Sequence, residues 1–207
     1  KTELFDGLAI AATDYDFCRY PVIKLEFAKD EFDSADNLRG YIDNAINQIA
    51  SQYKVQLSSN TYNQRFDELV VKLHQQSGQK VVLLIDEYDK PILNNLNKPT
   101  LAEIKQVMNA FYSVAKSLDE HLRFIFITGV SKFAKVSVFS GMNSLTDISM
   151  DRRYATLCGV TQQELETNFT KPIDELASVE QLDRAELMIK IKRWYNGYKF
   201  HQRAVGV

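Results

Sequence analysis

Cysteine is scarce in this sequence. The 207 residues include two cysteines, Cys18 and Cys158, which are far apart and fall in no CxxC pattern. This argues against a disulfide framework and against a cysteine-based zinc site, and it is typical of a reducing compartment. The three histidines are equally scattered. We expect them to be ordinary surface or packing residues, because no second ligand stands at metal-site spacing.

Long apolar runs and a strong charge imbalance are also absent. The longest apolar runs cover about nine residues, whereas a membrane-spanning helix needs roughly 20. The first residues show no signal-peptide pattern. The formal net charge of −2 argues against a surface built mainly to bind nucleic acid, although it leaves room for a local basic patch. These absences predict a cytoplasmic protein that does not bind membranes.

Short apolar segments alternate with amphipathic ones along the first 150 residues. Strands are predicted at 20–27, 80–86 and 122–130. Helices are predicted at 34–53, from Thr61 to the stop at Gly78, and near 100–118. The last two strand segments are nearly continuous in apolar residues, which is typical of strands covered on both faces. The alternation predicts an α/β fold with a doubly wound, mainly parallel sheet.

The pattern changes after residue 150. The remaining chain predicts helices only, and Thr161 and Glu164 have the spacing of a capping box. We therefore predict an α/β core at 1–150 and a helical lid or appendage at 151–207.

Two adjacent carboxylates follow the second predicted strand. Asp86 and Glu87 stand at the end of the apolar run in KVVLLIDEYDK, and Thr128 lies near the end of the third strand. Ligands of such sheets bind at the carboxyl ends of the strands, so we expect these three residues to converge. In nucleotide hydrolysis one carboxylate holds Mg²⁺ and its neighbour orients the attacking water. Alternatively, Asp86 and Glu87 simply end the strand and cap the turn into Pro91. Their spacing alone does not decide between the catalytic and the structural interpretation.

Further candidates follow the third strand. Ser131 and Lys132 either line a phosphate site or belong to a solvated connection. Arg152 and Arg153 either stabilise charge on a transferring phosphoryl group, from this chain or a neighbouring subunit, or form a surface ion pair with Asp151.

Three longer stretches carry more information than the carboxylate pair. They are VVLLIDEYDKPI, FIFITGVSKFAKVSVFSGMNSLTDISMDRRYATLCGVTQQEL and WYNGYKF. They closely resemble the bacterial AAA-ATPase-like family, in which an ATPase domain often precedes a PD-(D/E)XK nuclease-like domain. The resemblance implies a P-loop NTPase fold that uses ATP and Mg²⁺. It implies that Asp86 is the Walker B aspartate, Glu87 the catalytic glutamate and Thr128 the sensor of the γ-phosphate.

The phosphate loop of that family is absent. It has the form GxxxxGK[S/T] and holds the phosphates through backbone N–H groups and a lysine, but none of the eight glycines is followed by lysine. In the family, this loop and the first strand come just before the position of LFDGLAI. We therefore expect a fragment that binds ATP and Mg²⁺ only when the upstream loop is present. The missing strand is expected to lie between the 122–130 strand and the strand that follows it.

Two functions are compatible with these patterns. The full-length protein is expected to hydrolyse ATP, the fragment alone being inactive. The alternative is a scaffold with an NTPase-like fold that binds a protein or a nucleic acid without hydrolysis. Either function is compatible with an attached domain or a homo-oligomer. Nuclease chemistry by Asp86 and Glu87 fits less well, because IDEYDK lacks the surroundings of a PD-(D/E)XK site.

Overall fold

A computed structural model of the chain describes residues 2–130 and 145–195. The chain divides into two compact units, Lys1–Asn143 and Ser144–Val207. None of the described helices combines the length and the apolar character needed to span a membrane.

The described part of the first unit contains a three-stranded parallel sheet in the order β1-β2-β3. The strands are β1 (Val22–Glu26), β2 (Val81–Asp86) and β3 (Leu122–Ile127). β2 lies in the centre, and Ile85 is aligned with Leu25 on one side and with Ile127 on the other. The predicted α/β class and the parallel arrangement are therefore confirmed, with each strand shorter than or equal to its predicted segment.

Four α-helices lie in the described part of this unit: α1 (Ala35–Gln52), α2 (Tyr62–Ser77), α3 (Lys90–Leu93) and α4 (Leu101–Ser117). Three short 3-10 turns complete it at Thr2–Phe5, Ala9–Ala12 and Phe27–Lys29. The Ser34 side chain caps α1 by accepting from the N–H of Asn37, and Thr61 caps α2 in the same way. Gly78 ends α2 in the left-handed conformation that glycine adopts without strain. The predicted boundaries of α1 and α2 follow from these local signals.

The core of this unit forms where α1, α2 and α4 pack on one another. The Phe66 ring of α2 contacts the Phe111 ring of α4 at a centroid distance of 4.7 Å, and both are fully buried. Further fully buried side chains come from the strands and from each of these helices: Ile23, Leu38, Ile42, Ile46, Leu69, Leu83 and Met108.

β3 is covered less than its sequence predicts. β2 alternates between buried and half-buried residues, whereas Arg123 and Phe124 of β3 are exposed and the next three residues are half-buried. Phe124 keeps 53% of its surface accessible and stacks on Phe126 of the same strand. Within the described ranges, no strand pairs with the outer edge of β3. The prediction of a strand covered on both faces is therefore wrong for β3.

The described part of the second unit is helical, as predicted. A 3-10 turn at Arg152–Tyr154 precedes α5 (Gln162–Asn168), α6 (Thr170–Glu180) and α7 (Arg184–Tyr195). The predicted capping box is present, because Thr161 and Glu164 bond to each other's backbone N–H groups. A small apolar core joins the helices around Ile173, Ala177 and Leu187.

Candidate functional site

Asp86 and Thr128 meet at the carboxyl ends of β2 and β3. Asp86 is the last residue of β2, and Thr128 directly follows β3. The Thr128 hydroxyl donates a hydrogen bond to Oδ1 of Asp86. The Thr128 N–H extends the sheet by donating to the carbonyl oxygen of Ile85 at 2.9 Å. Both side chains are half-buried, so the strand ends present a carboxylate and a hydroxyl that solvent still reaches.

Glu87 interrupts the ladder between these two strands. Ile85 is aligned with Ile127, so in a regular parallel ladder the N–H of Glu87 donates to the carbonyl of Thr128. That bond is instead made by Tyr88, at 3.0 Å. Glu87 is therefore an extra, bulged residue directly after β2, and its φ of 51° lies in the left-handed region that non-glycine residues rarely adopt.

The carbonyl of Glu87 is also diverted from the ladder. In the regular pattern it accepts from the N–H of Val130, but here it accepts from the N–H of Lys90 at 3.0 Å. The N–H of Val130 donates to Oδ1 of Asp89 at 3.3 Å. Asp89 is 1% exposed. A buried carboxylate thus stands where the ladder has lost a backbone acceptor.

Gly129 leaves no room for a side chain at this point. A Cβ atom there would stand 2.8 Å from Oδ1 of Asp89 and closer still to the ring of Tyr88. Tyr88 is itself buried, with 6% of its surface exposed. The turns after β2 and β3 therefore pack directly against each other.

Tyr112 of α4 lies near the same pair of buried residues. Burial raises the pKa of its phenol well above the ordinary value, and the neighbouring Tyr88 and Asp89 act in the same direction. The phenol therefore stays protonated across the physiological pH range.

The oxygen donors at this site suit a hard cation. Mg²⁺ is usually bound through one or two carboxylates and keeps several waters or phosphate oxygens, and Asp86 and Thr128 offer a carboxylate and a hydroxyl. Within residues 2–130 and 145–195, no three histidine, cysteine or acidic side chains are grouped to hold a metal ion by themselves. Asp86 and Thr128 thus offer part, and not all, of the oxygen ligands that such an ion needs.

The remaining sequence candidates lie elsewhere. Ser131 and Lys132 fall outside the described residues. Arg152 and Arg153 belong to the second unit. Arg153 forms the ion pair with Asp151 that its sequence allows, with Nη2 at 2.6 Å from Oδ2, and the hydrogen bonds to Asp151 raise the pKa of Arg153. Arg152 is exposed.

Sequence reasoning did not find Tyr88, Asp89 and Gly129 as parts of this site. Two signals were present: a third acid in DEYD, and a glycine directly after Thr128. Neither signal predicts a contact on its own, because these residues are brought together only by the bulge at Glu87.

Comparison with known proteins gives a family and one related protein. The family model AAA-ATPase_like, described as a predicted AAA-ATPase, matches residues 1–139. A protein from Azotobacter chroococcum mcd 1, described as an uncharacterized protein in the vnfD 5′ region, is 40% identical over 188 residues. The aligned part is 90% of this chain but 34% of that protein, so the chain spans about a third of its relative's length. No solved structure matches the chain.

Proposed function

Because this chain belongs to the family of predicted AAA-ATPases, as its sequence resemblance predicted, we propose that the full-length protein binds Mg-ATP and hydrolyses it. The proposed site is the carboxyl edge of β2 and β3. The observation that carries the proposal is the hydrogen bond from Thr128 to Asp86 beside the left-handed Glu87. It joins the two strand ends at the edge of the sheet where nucleotides bind in such folds.

Each of the three residues has a separate role in this proposal. Asp86 holds the magnesium ion, which neutralises charge on the phosphates when it is bound. Glu87 orients the attacking water and accepts its proton. Thr128 contacts the γ-phosphate and relays its presence to Asp86 through their hydrogen bond.

The strained backbone of Glu87 supports a functional role for its side chain. A residue held at an unfavourable φ costs about 1–3 kcal/mol, and such residues cluster at active sites. A glycine meets the backbone geometry of this bulge without that cost. Phe17, Lys54, Asn97 and Gln181 also have a positive φ, so the conformation supports a role for Glu87 only together with its position next to Asp86 and Thr128.

We propose that the phosphate loop and its strand lie outside these 207 residues. Three observations support this: no glycine is followed by lysine, the outer edge of β3 has no partner strand in the described part of the chain, and the related protein is much longer than the aligned region. In this proposal the additional strand pairs with the outer edge of β3, which completes a P-loop NTPase sheet. Ser131, Lys132, Arg152 and Arg153 remain candidates for phosphate contacts from the sequence alone.

The experiment compares Glu87→Gln and Asp86→Asn in the full-length protein with the wild type. We expect Glu87→Gln to retain ATP affinity and to lose about 100-fold or more of its phosphate release, because it removes the general base. Asp86→Asn should raise the Mg²⁺ concentration needed for activity. Glu103→Gln, an exposed acid in α4, is the matched control and should behave as wild type.

The same experiment tests the alternative function. A scaffold that binds a protein or a nucleic acid, directly, through an attached domain or as a homo-oligomer, keeps its partner when Glu87 is replaced. ATP binding without phosphate release by the wild type, or unchanged turnover in Glu87→Gln, would contradict the proposed hydrolysis.

A further inference from the structure

Asp89 supplies a hydrogen-bond acceptor at the place where the bulge removes one. The bulge turns the carbonyl of Glu87 toward Lys90, so the next N–H group of the β3 extension, that of Val130, loses its regular partner. The Asp89 carboxylate accepts this N–H instead. The contact therefore keeps the segments after β2 and β3 side by side for one more residue pair, although Glu87 is displaced from the ladder.

The carboxylate of Asp89 is held firmly enough to act as a fixed point. Its backbone carbonyl accepts from the N–H groups of Ile92 and Leu93, at 3.0 and 2.8 Å, which anchors it at the start of α3. Its side chain is enclosed, with 1% of the residue exposed. Gly129 packs against it with no space for a Cβ. A movement of Asp89 is thus opposed on the helix side and on the β3 side.

We propose that Asp89 is a positioning residue for the reaction, which fixes the segment after β3 relative to the displaced Glu87. This inference rests on the proposed ATP hydrolysis. Thr128 lies two residues before the tethered Val130, so the tether limits how far its hydroxyl moves from Asp86. Asp89 itself contacts neither nucleotide nor water in this scheme, and it acts through the placement of Thr128 and Glu87.

The chemistry of the contact predicts which substitutions matter. Asparagine keeps an acceptor oxygen at the same distance from the backbone, whereas alanine removes the acceptor and leaves the Val130 N–H without it. The contact can also be broken from the other side. Val130→Pro removes the N–H at a residue whose side chain is 85% exposed, and Val130→Ala keeps that N–H.

The test measures steady-state ATP hydrolysis by the full-length protein at a temperature where each variant is folded. We expect Asp89→Ala and Val130→Pro to lower kcat about 10- to 100-fold with little change in the KM for ATP, since small misplacements of reacting groups have effects of this size. Asp89→Asn and Val130→Ala should stay within about threefold of wild type, because both keep the contact. The proposal would be overturned if the decrease in kcat merely paralleled the loss of folding stability in each variant and Asp89→Asn did not restore kcat.

A second measurement separates this inference from the proposed function. Backbone hydrogen exchange of Val130 reports the contact whether or not the protein hydrolyses ATP. Asp89→Ala should speed that exchange about tenfold or more, whereas Asp67→Ala, an exposed change in α2, should not alter it. Unchanged exchange in Asp89→Ala would show that the tether does not exist. Absence of hydrolysis by the wild type, with the exchange result as expected, would contradict the proposed function and the catalytic consequence of the tether while leaving the contact itself established.

Discussion

At the scale of single residues, the conformation of Glu87 connects stability with function. Its φ of 51° is costly for any residue with a Cβ, by about 1–3 kcal/mol. Glycine avoids this cost but loses more freedom on folding. We expect Glu87→Gly to stabilise this chain by about 0.5–1 kcal/mol, measured by urea unfolding, because the relief of strain exceeds the added entropy cost.

The control for this prediction is Glu87→Ala. It removes the same carboxylate but keeps the Cβ in the left-handed region, so it should not stabilise the chain. Equal stability of the glycine and alanine variants would show that the backbone at Glu87 is not strained. Under the proposed hydrolysis, both variants should lose turnover in the full-length protein, because stabilising changes at catalytic positions often reduce activity.

Gly129 provides a second prediction at this scale. A Cβ at this position collides with the ring of Tyr88 and stands 2.8 Å from Oδ1 of Asp89, and neither neighbour has room to withdraw because both are buried. We expect Gly129→Ala to lower the free energy of unfolding by about 1–3 kcal/mol, the usual cost of overpacking. Urea unfolding measures the change.

Gly40 is the matched control for that substitution. It lies inside α1, and a Cβ there meets no atom within 4 Å. Gly40→Ala should therefore stabilise the protein by up to about 1 kcal/mol through helix propensity. Similar effects of the two glycine substitutions would contradict the tight packing between the turns after β2 and β3.

At the scale of elements, one carboxylate organises the connection between α1 and α2. Glu68 of α2 accepts hydrogen bonds from the N–H groups of Ser58 and Ser59 at 2.9–3.0 Å, and it also binds Lys72. The hydrogen bond from Lys72, followed by those from the two serine N–H groups, holds the pKa of Glu68 far below its ordinary value. The ionised carboxylate therefore stabilises the folded state.

The sign of the pKa shift predicts how this stabilisation depends on pH. A depressed pKa contributes stability that is fully present above the unfolded value, about 4.3 for glutamate, and declines as pH falls toward the folded value. We expect Glu68→Gln to unfold at a lower urea concentration than wild type at pH 7. The difference in stability between the two proteins should narrow as pH falls below about 4. Glu68 then becomes protonated in the unfolded wild-type chain, whereas glutamine does not titrate. A difference that does not change with pH would mean that the charge of Glu68 is not the cause.

The elements of the first unit follow largely from local signals, whereas the site geometry does not. Ser34, Thr61 and Gly78 mark helix ends through contacts within a few residues, and the sequence therefore predicts them. The turn expected around Pro91 is instead the short helix α3, in which proline occupies an early position that suits its fixed φ.

The bulge was beyond sequence reasoning for a physical reason. Nothing in the residues around Glu87 requires a left-handed conformation, and no glycine or asparagine marks the position. The contact between Asp89 and Val130 joins positions 41 residues apart and depends on the extra residue Glu87 directly after β2. The sequence predicts that Asp86 and Thr128 lie at one edge, because parallel strands bring their ends together, but it does not predict which atoms meet.

At the scale of the whole molecule, the exposure of β3 is expected to differ between this chain and the longer protein proposed above. Phe124 is 53% exposed here, whereas in the proposed longer protein a strand beside β3, together with the elements packed on that face of the sheet, would bury it. Phe124→Thr should therefore change the stability of the 207-residue chain by less than about 1 kcal/mol, as expected for a surface position. In the full-length protein the same substitution should cost about 2–4 kcal/mol, because it removes a buried aromatic ring.

Phe66 serves as the control, because it is fully buried within the described unit itself. Phe66→Ala should cost about 3–5 kcal/mol in both proteins, so a general difference in their unfolding behaviour would appear there too. A cost at Phe124 that rises only in the longer protein supports an additional strand on β3, which the proposed phosphate loop requires. An equally small cost in both proteins would mean that β3 stays uncovered in the longer protein, and it would contradict the proposed location of the phosphate loop beside Asp86.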